Sequence, residues 1–425
     1  MTHDHHDSGP NRRKVLECMT WAGTGVLWTV AGGVPSALGI IDGAMAQSAS
    51  GFTFLQISDS HVGFDKPANP NAKGTLEEAI GWVFEANEQP PRLRAYVRFV
   101  NRIDEIEYHP SYHRLMETAV AHELHCLPWR EQRSGAHAAR AALFMVWNVD
   151  AGHGCPISMT CSVVPALRAQ PELAEEWEPL ILSTHYDPRL VPAAEKRGVI
   201  FGMAMTERQG GSDVRTNTTT ARALNGAGPG TEYEITGHKW FCSAAMSDAF
   251  LVLAQAEEGL SCFLLPRVLP DGTRNGFHIE RVKDKLGNRS NASSEVELEA
   301  AHAWAVGEPG RGVQTIIEMV NHTRLDCVLG AAAGMRYGVE QATWHAAHRS
   351  AFGRRLDEQP LMRNVLADLC LESEAATATA MRLGRAYDEA IAGEEEAKHF
   401  KRIATAVAKY WICKRWPTHA AEALE

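Results

Sequence analysis

One stretch decides how the rest of the chain is interpreted: residues 202–223 read GMAMTERQGGSDVRTNTTTARA, and residues 232–245 read EYEITGHKWFCSAA. The first segment contains two adjacent glycines, Gly210 and Gly211. Because glycine has no Cβ, its backbone can approach a ligand closely. Side-chain hydroxyls that can donate and accept hydrogen bonds stand at Thr206, Ser212 and Ser243. These features suit a bound flat cofactor, but a β-hairpin with a glycine turn and core aromatics also explains most of them.

The region around this stretch has the pattern of short strands. Apolar-rich, alternating segments occur at residues 251–255, 262–266 and 295–298. Turn sequences separate them at residues 270–272 and 308–310. Short strands at this spacing predict a small β-barrel or sandwich. We expect this β domain to span residues 196–306.

Both flanks of the β region have helical periodicity. Apolar residues recur at helical spacing before it, at Met116, Ala119, Val120, Leu124 and Leu127. We expect a partial N-terminal helical domain over residues 84–195, with a helix break at 152–156, and a C-terminal helical domain over residues 307–425. The predicted fold class is therefore α+β multidomain: a helical domain, a middle β-barrel and a C-terminal helical bundle.

Two motifs in this region resemble those of acyl-CoA dehydrogenases. Residues 205–213, MTERQGGSD, resemble the small-x-Thr-Glu-x-x-x-Gly-Ser-Asp pattern of that family, and residues 238–243, HKWFCS, resemble its Lys-x-Trp-Ile-Thr-Asn stretch. Together with residues 283–297, KDKLGNRSNASSEVE, they resemble the AidB-type (alkylation-response) branch. The resemblance runs from about Phe84 to Glu425.

The resemblance implies an FAD cofactor and names its contacts. The implied cofactor-binding residues are Met203, Met205, Thr206, Gly211, Ser212, Phe241, Cys242, Ser243, Arg349 and Phe352, with Ser212 and Ser243 also implied to bind substrate. Cys242 takes the position of a threonine that contacts flavin N5 in the family. Arg349 opens an Arg-x-x-Phe-Gly block that reaches the flavin pyrophosphate across a subunit interface, where a guanidinium suits a phosphate. A homotetramer is implied.

The implied reaction is the α,β-dehydrogenation of an acyl-CoA or related thioester, which needs a carboxylate base. Isovaleryl-type members carry that base as a glutamate at the position of Thr323 here, and the usual alternative would follow the last residues, 421–425. We therefore identify no catalytic base and expect an impaired enzyme with a truncated C-terminal domain. Association with DNA, known in the branch, would use a basic region beyond Glu425.

The first 83 residues do not share this resemblance. Arg12 and Arg13 precede an apolar, glycine-rich stretch and a small-residue site, which predicts a twin-arginine-like signal segment over residues 1–46. Residues 47–83 resemble the start of a metallophosphoesterase, with Asp59 and His61 at ligand positions. Because two ligands cannot hold a catalytic metal pair, we interpret these two residues as a remnant. We expect a fusion junction near residues 80–84. The alternative functions are thus a metal-dependent phosphoesterase fragment or a non-catalytic nucleic-acid-associated flavoprotein. For localisation, the dehydrogenase region predicts a cytoplasmic protein, whereas the signal segment predicts export.

Composition narrows the function classes. A net charge of −10 and a pI near 6.0 disfavour a general nucleic-acid binder, whose footprint is basic. The 9 cysteines contain no Cys-x-x-Cys pair, so neither a zinc ribbon nor a disulfide framework is indicated. His122 and His125 are three residues apart, not four as in the zinc-protease motif, and we predict no metal site.

Overall fold

The computed structural model describes residues 26–31, 34–39, 52–54 and 72–425, with gaps at 132 and 149. The chain divides into two compact units. The larger unit comprises Leu76–Gly334 and Ala375–Pro417, and the smaller unit comprises Met1–Thr75, Met335–Glu374 and Thr418–Glu425. The sequence-based signal segment is described only at its strands, while Arg12, Arg13, Asp59 and His61 lie outside the described residues.

The smaller unit begins with a three-stranded antiparallel sheet in the order β2-β1-β3, formed by β1 (Val26–Ala31), β2 (Val34–Gly39) and β3 (Phe52–Phe54). The first helix, α1 (Ala72–Glu88), runs through residues 80–84 without interruption. The junction predicted there, like the other domain boundaries, stays a prediction. Within the described part of the chain, no helix is long and apolar enough to cross a membrane.

The N-terminal part of the larger unit is mainly helical: after α1 it contains α2 (Pro110–Ala121), α3 (Leu127–Arg130), α4 (Ala136–Trp147), α5 (Ala151–Leu167) and α6 (Pro171–Ile181). The predicted core positions are buried, from Met116 to Leu127. A hairpin of β4 (Arg92–Tyr96) and β5 (Arg102–Glu107) interrupts the helices, and the prediction of continuous helix was wrong there. Charged and apolar residues alternate in these strands, and Ile106 packs into the barrel core.

The helix break predicted at residues 152–156 was also wrong, because these residues form the first turns of α5. Asp150 caps the helix, and its carboxylate accepts a hydrogen bond from the His153 backbone N–H at 3.1 Å. Gly152 serves close packing here, since a Cβ on it would lie 1.7 Å from Ser290 Oγ. Gly152 is therefore needed because the start of α5 packs closely against the segment with Ser290, and it does not end a helix.

The predicted β domain is a closed barrel. Its strands are β6 (Phe201–Ala204), β7 (Thr220–Ala223), β8 (Glu232–Cys242), β9 (Ala249–Ala256), β10 (Gly259–Pro266), β11 (Phe277–Val282) and β12 (Ser294–Ala305). Pairing runs β9-β10-β12-β8-β7 and returns to β9, which closes the ring. Strand β6 adds in parallel to β9, and β11 adds antiparallel to β12. The barrel prediction is confirmed.

The barrel separates two hydrophobic cores. Alternate residues of β9 point to opposite sides: Phe250 and Val252 join the barrel interior, whereas Leu251 joins the cluster that contains Val163 and Trp177 of the helices. Because both faces of β9 are covered, this strand reads as a continuous apolar run. The barrel is thereby held rigidly against α5 and α6, and its loops are carried by a fixed scaffold.

The C-terminal region is helical, as predicted. It consists of α7 (Gly312–His348), α8 (Pro360–Ile391) and α9 (Glu395–Leu424). A two-residue-per-strand hairpin, β13 (Ser350–Ala351) and β14 (Arg354–Arg355), joins α7 to α8. In the smaller unit Val339, Leu369 and Cys370 form a core between the parts of these helices that belong to it.

Candidate functional site

The loop between β6 and β7 is tied together at its base by a buried carboxylate. Both Glu207 and Lys239 are almost fully buried, and Lys239 Nζ lies 2.8 Å from Glu207 Oε1. Glu207 Oε2 accepts from the Thr218 backbone N–H at 2.7 Å, and Oε1 accepts from the Thr219 N–H at 3.1 Å. Although burial favours the neutral acid, the bonds from Lys239 and Thr218 lower the pKa of Glu207 to about 2. Glu207 is thus a charged structural group.

The residues on either side of Glu207 present polar side chains that have no partner among the described residues. The hydroxyls of Thr206 and Ser212 are at least partly exposed and bond to no other described residue. Gly211 lies so close to Thr206 that a Cβ on residue 211 would be 2.7 Å from Thr206 Oγ1. Only glycine allows this approach. The loop therefore offers a cradle with two hydroxyls and an accessible backbone.

An aromatic surface with cations lies at the end of β8, beside the loop. The Trp240 backbone N–H donates a hydrogen bond to the Thr206 carbonyl at 2.8 Å, which connects this strand to the loop. Lys283 Nζ lies 3.8 Å from the centre of the Trp240 ring and 4.3 Å from that of Phe241. Arg208 lies 5.1 Å above the Trp240 ring. Phe241 is 51% exposed, so the alternative in which both aromatics are core residues was wrong.

Ser243 belongs to a second polar group at the same strand end. The Cys155 thiol from α5 lies near the Ser243 and Asn291 side chains, and the Ala244 backbone N–H donates to Asn291 Oδ1 at 3.1 Å. Burial raises the pKa of Cys155, and Ser243, Lys285 and Asn291 oppose that rise. Lys285 Nζ donates to the Asn291 carbonyl at 2.7 Å. The cluster places beside Ser243 a thiol that burial keeps neutral.

Cys242 does not share this surface. Its side chain is completely buried in the barrel-core cluster, and burial raises the pKa of its thiol to about 12. A bulge in the pairing of β8 with β12 near this residue reorients the strand end. The structure thus points the Cys242 side chain away from the half-exposed Ser243, and its assignment to a cofactor stays a prediction that this burial opposes. Met203 and Met205 are half-buried and pack against the cluster that contains Val163 and Trp177.

Arg349 and Phe352 lie in the smaller unit, at the hairpin after α7. The Phe352 side chain is 98% exposed, and its backbone has a φ of +53°. A left-handed backbone is unfavourable for a bulky residue, and a fully exposed phenyl ring gains nothing from the chain around it. Arg349 is exposed and its guanidinium contacts His345 at 3.4 Å. This hairpin is therefore shaped to present side chains outward.

The position expected to carry a catalytic base holds no acid. Thr323 lies in α7, and its hydroxyl donates to the Val320 carbonyl at 3.0 Å. Glu207 is excluded as a base because its carboxylate is ionised, buried and paired. Sequence reasoning missed Lys283 and Lys285 as neighbours of the site, whereas the family resemblance implies that the segment with Cys155 lies near the pocket. The sequence marks residues 283–297 only as a family motif. The positions of Lys283 at the Trp240 ring and of Lys285 near Cys155 could therefore not be inferred.

Three family models match the chain in sequence order. The Adaptive response protein AidB N-terminal domain matches residues 66–188, the acyl-CoA dehydrogenase middle domain matches residues 202–301, and the acyl-CoA dehydrogenase C-terminal domain matches residues 310–425. The first match begins upstream of the predicted junction at residues 80–84. The metallophosphoesterase interpretation and the nucleic-acid alternative gain no support from these matches.

Known proteins agree with the family models. The putative acyl-CoA dehydrogenase AidB of Escherichia coli K12 is 47% identical over 343 residues, which are 80% of this chain and 62% of that protein. Among solved structures, Caenorhabditis elegans ACDH-11 in complex with C11-CoA has a TM-score of 0.75 at 24% identity, covering 83% of this chain and 61% of that one. The chain thus spans about three fifths of these relatives.

A more distant structure shares the fold. An acyl-CoA dehydrogenase from Bacillus anthracis, complexed with FAD, has a TM-score of 0.56 at 21% identity. The likeness covers 74% of this chain and 53% of that one. Both solved structures support a helical, β and helical arrangement of the kind described above.

Proposed function

Because this chain belongs to the acyl-CoA dehydrogenase family, we propose that the β6–β7 loop and the end of β8 bind FAD for the α,β-dehydrogenation of an acyl-CoA thioester. The observation that carries the proposal is the cradle of Thr206, Gly211 and Ser212, whose two hydroxyls have no partner among the described residues. A flavin has a flat ring with hydrogen-bonding edges, and these groups match those edges.

The charges beside the cradle fit the rest of this cofactor. FAD carries a pyrophosphate, and Arg208 and Lys283 are cations placed around the Trp240 ring. An aromatic face flanked by cations suits a ligand that joins a flat ring to phosphates. The residues present therefore fit FAD, with Thr206 and Ser212 bonding its ring and the cations compensating its charge.

The family reaction divides its tasks between cofactor and protein. Bound FAD supplies the hydride acceptor. The chain's own residues position the partners: Ser243, beside the Cys155 thiol, follows β8, the strand whose Trp240 backbone N–H is bonded to Thr206. Thr323 cannot accept the α-proton near neutral pH. Because the lack of a general base costs about 10²–10⁴-fold in rate, we expect slow turnover, and we also expect weak retention of the cofactor by this chain on its own.

We further propose that two copies of the chain complete each site. The fully exposed Phe352, on a strained backbone beside Arg349, supports an outward docking role for this hairpin. The family resemblance assigns the hairpin arginine to a cofactor bound by a neighbouring subunit. Association with DNA and an alkylation response stay predictions of the resemblance, and export stays a prediction from the residue pattern of 1–46.

The test uses the full chain reconstituted with FAD. Flavin absorbance and fluorescence give the stoichiometry and Kd, and several acyl-CoA thioesters are assayed with an artificial electron acceptor. The double variant T206A/S212A should weaken FAD binding about 10-fold or more, since two hydrogen bonds are lost. Thr118→Ala removes a helix-surface hydroxyl and serves as the control.

Two results would count against the proposal. A wild-type chain that retains no FAD after reconstitution would overturn it. Equal FAD affinity in T206A/S212A and the wild type would show that the cradle is not the site. Perturbation of the bound flavin spectrum by an acyl-CoA, but not by CoA alone, is the result expected for an acyl-thioester site.

A further inference from the structure

The loop between β6 and β7 departs from the barrel and returns to almost the same point. Glu207 stands at its departure, and Thr218 and Thr219 stand at its return. Between them, residues 208–216 are mostly exposed. This part contains Ser212 and the arginines at positions 208 and 215. A surface loop whose ends meet can hold a defined shape only if its neck is fixed.

A single carboxylate fixes this neck. Glu207 Oε2 accepts hydrogen bonds from the Thr218 backbone N–H and from the Thr218 hydroxyl, at 2.7 Å and 2.9 Å. Its other oxygen, Oε1, accepts hydrogen bonds from the Thr219 backbone N–H and from the Lys239 ammonium. Gln209 Nε2 also donates to Oε2 at 3.4 Å, so five donors on four residues converge on one side chain, at positions 2, 11, 12 and 32 residues away.

The surroundings reinforce this closure. Lys239 also donates to the Leu253 carbonyl at 2.7 Å, so the ammonium is anchored to β9. Asn217 donates to the Met205 carbonyl at 3.0 Å, and Gln209 Nε2 lies 3.4 Å from both the Thr216 carbonyl oxygen and Asn217 Oδ1. Without the carboxylate, the donors at Thr218 and Thr219 would face each other and the ammonium in a dry interior.

We propose that Glu207 is a positioning residue that closes the neck of the 208–216 loop and thereby holds Thr206 and Ser212 in the geometry that binds the cofactor. The inference rests on the proposed function for the identity of the ligand. It does not rest on it for the closure itself, which is a property of the protein without ligand.

The variant Glu207→Gln tests the closure with little change in volume. An amide has one acceptor oxygen, and its NH₂ would face donors at the neck. In flavin-free protein under native conditions, we expect trypsin to cut after Arg208 and Arg215 roughly 10-fold faster than in the wild type, with the sites identified by mass spectrometry. In a parallel titration, the Kd for FAD should rise about 10-fold or more.

A matched control separates positioning from general destabilisation. Asp248 forms a second buried ion pair in the same unit, with Lys196, and lies outside the loop. Asp248→Asn should lower stability as Glu207→Gln does, yet leave cleavage at the two arginines and the FAD Kd within about 2-fold of wild type.

The double variant E207Q/K239M adds a readout that a purely structural role would not move. It removes the unpaired ammonium left by Glu207→Gln, so much of the lost stability should return. The neck donors remain unsatisfied, so loop cleavage and weak FAD binding should persist. Recovery of all three properties together would overturn the proposal, because the effect would then be one of stability.

The remaining outcomes are equally decisive. Unchanged trypsin cleavage in Glu207→Gln would show that the neck is closed without the carboxylate. Faster cleavage with an unchanged FAD Kd would sever the link between closure and cofactor. If the wild type binds no FAD, the proposed function fails and the cofactor part of this proposal fails with it, whereas the cleavage comparison still decides whether Glu207 closes the neck.

Discussion

Ser290 and Asp150 meet in the interior of the larger unit, where Ser290 Oγ lies 2.8 Å and 3.0 Å from the two carboxylate oxygens of Asp150. Asp150 also accepts from Asn87 Nδ2 at 2.9 Å and from the His153 backbone N–H. One buried carboxylate therefore joins α1, the start of α5 and the segment before β12. It fastens the N-terminal helical region to the barrel region.

Replacing this carboxylate should weaken the whole unit. In Asp150→Asn an NH₂ group faces donors from Asn87 or Ser290, and a helix cap loses its charge. We expect the free energy of unfolding to fall by about 2–4 kcal/mol, measured by urea denaturation. Glu297→Gln removes a charge from an exposed strand position and should change it by less than about 0.5 kcal/mol. Equal effects of the two variants would contradict the assignment.

Acid should destabilise the protein through the same kind of group. Burial opposes ionisation of Asp150 and Glu207, but bonds from His153 and Lys239 respectively hold each pKa at about 2, below the ordinary values of 3.8 and 4.5. Groups with lowered pKa values stabilise the fold above the unfolded pKa and lose that contribution as pH falls towards the folded pKa. Stability should therefore decline between about pH 4.5 and pH 2.

The measurement for this acid effect is the urea midpoint at a series of pH values. The decline should be shallower in Glu207→Gln, because one of the two groups no longer titrates. An unchanged pH dependence in that variant would show that Glu207 is not ionised in the folded protein.

The cradle should tolerate no side chain at residue 211. Gly211→Ala places a methyl group 2.7 Å from Thr206 Oγ1, so either the loop or the hydroxyl must move. We expect FAD affinity to fall about 10-fold while the unfolding free energy changes by less than about 1 kcal/mol. Gly287→Ala, where a Cβ meets nothing within 4 Å, is the matched control. Similar FAD affinities for both variants would argue against a ligand at Gly211.

Cys242 should behave as a core residue and not as a cofactor contact. Cys242→Ala removes one buried sulfur atom, so we expect a stability loss of about 1 kcal/mol and an FAD Kd within about 2-fold of wild type. Cys242→Ser should be less stable than Cys242→Ala, because it buries a hydroxyl in an apolar cluster. A shifted flavin spectrum in Cys242→Ala would restore the thiol as a cofactor neighbour.

The exposed hairpin should matter for assembly more than for folding. Phe352→Asn replaces a bulky residue at φ +53° by one that tolerates this conformation. We expect stability to stay equal or to rise by about 0.5–1 kcal/mol, while the assembly weakens, measured by light scattering against protein concentration. Tyr337→Asn, at another exposed aromatic, serves as the comparison. Identical assembly of wild type and Phe352→Asn would remove the docking role.

Much of the fold followed from local patterns. The strands at residues 249–256, 259–266 and 294–305 and the long C-terminal helices appear where alternation and helical periodicity placed them. The hairpin at residues 92–107 was missed because its charged, short strands gain their stability from packing against the barrel. Residues 152–156 were misassigned since their glycines and proline read as breakers until Asp150 caps the helix.

The sequence by itself determined the order of helical and β regions and the motifs around Thr206 and Trp240, because periodicity and short motifs are written in neighbouring residues. Only the tertiary structure decided the roles of Glu207 and Cys242. Glu207 gains its charge partner from 32 positions along the chain, and Cys242 is turned inward by irregular pairing with β12. Burial and strand register depend on distant segments, so side chains of the same sequence motif can face either a ligand or the core.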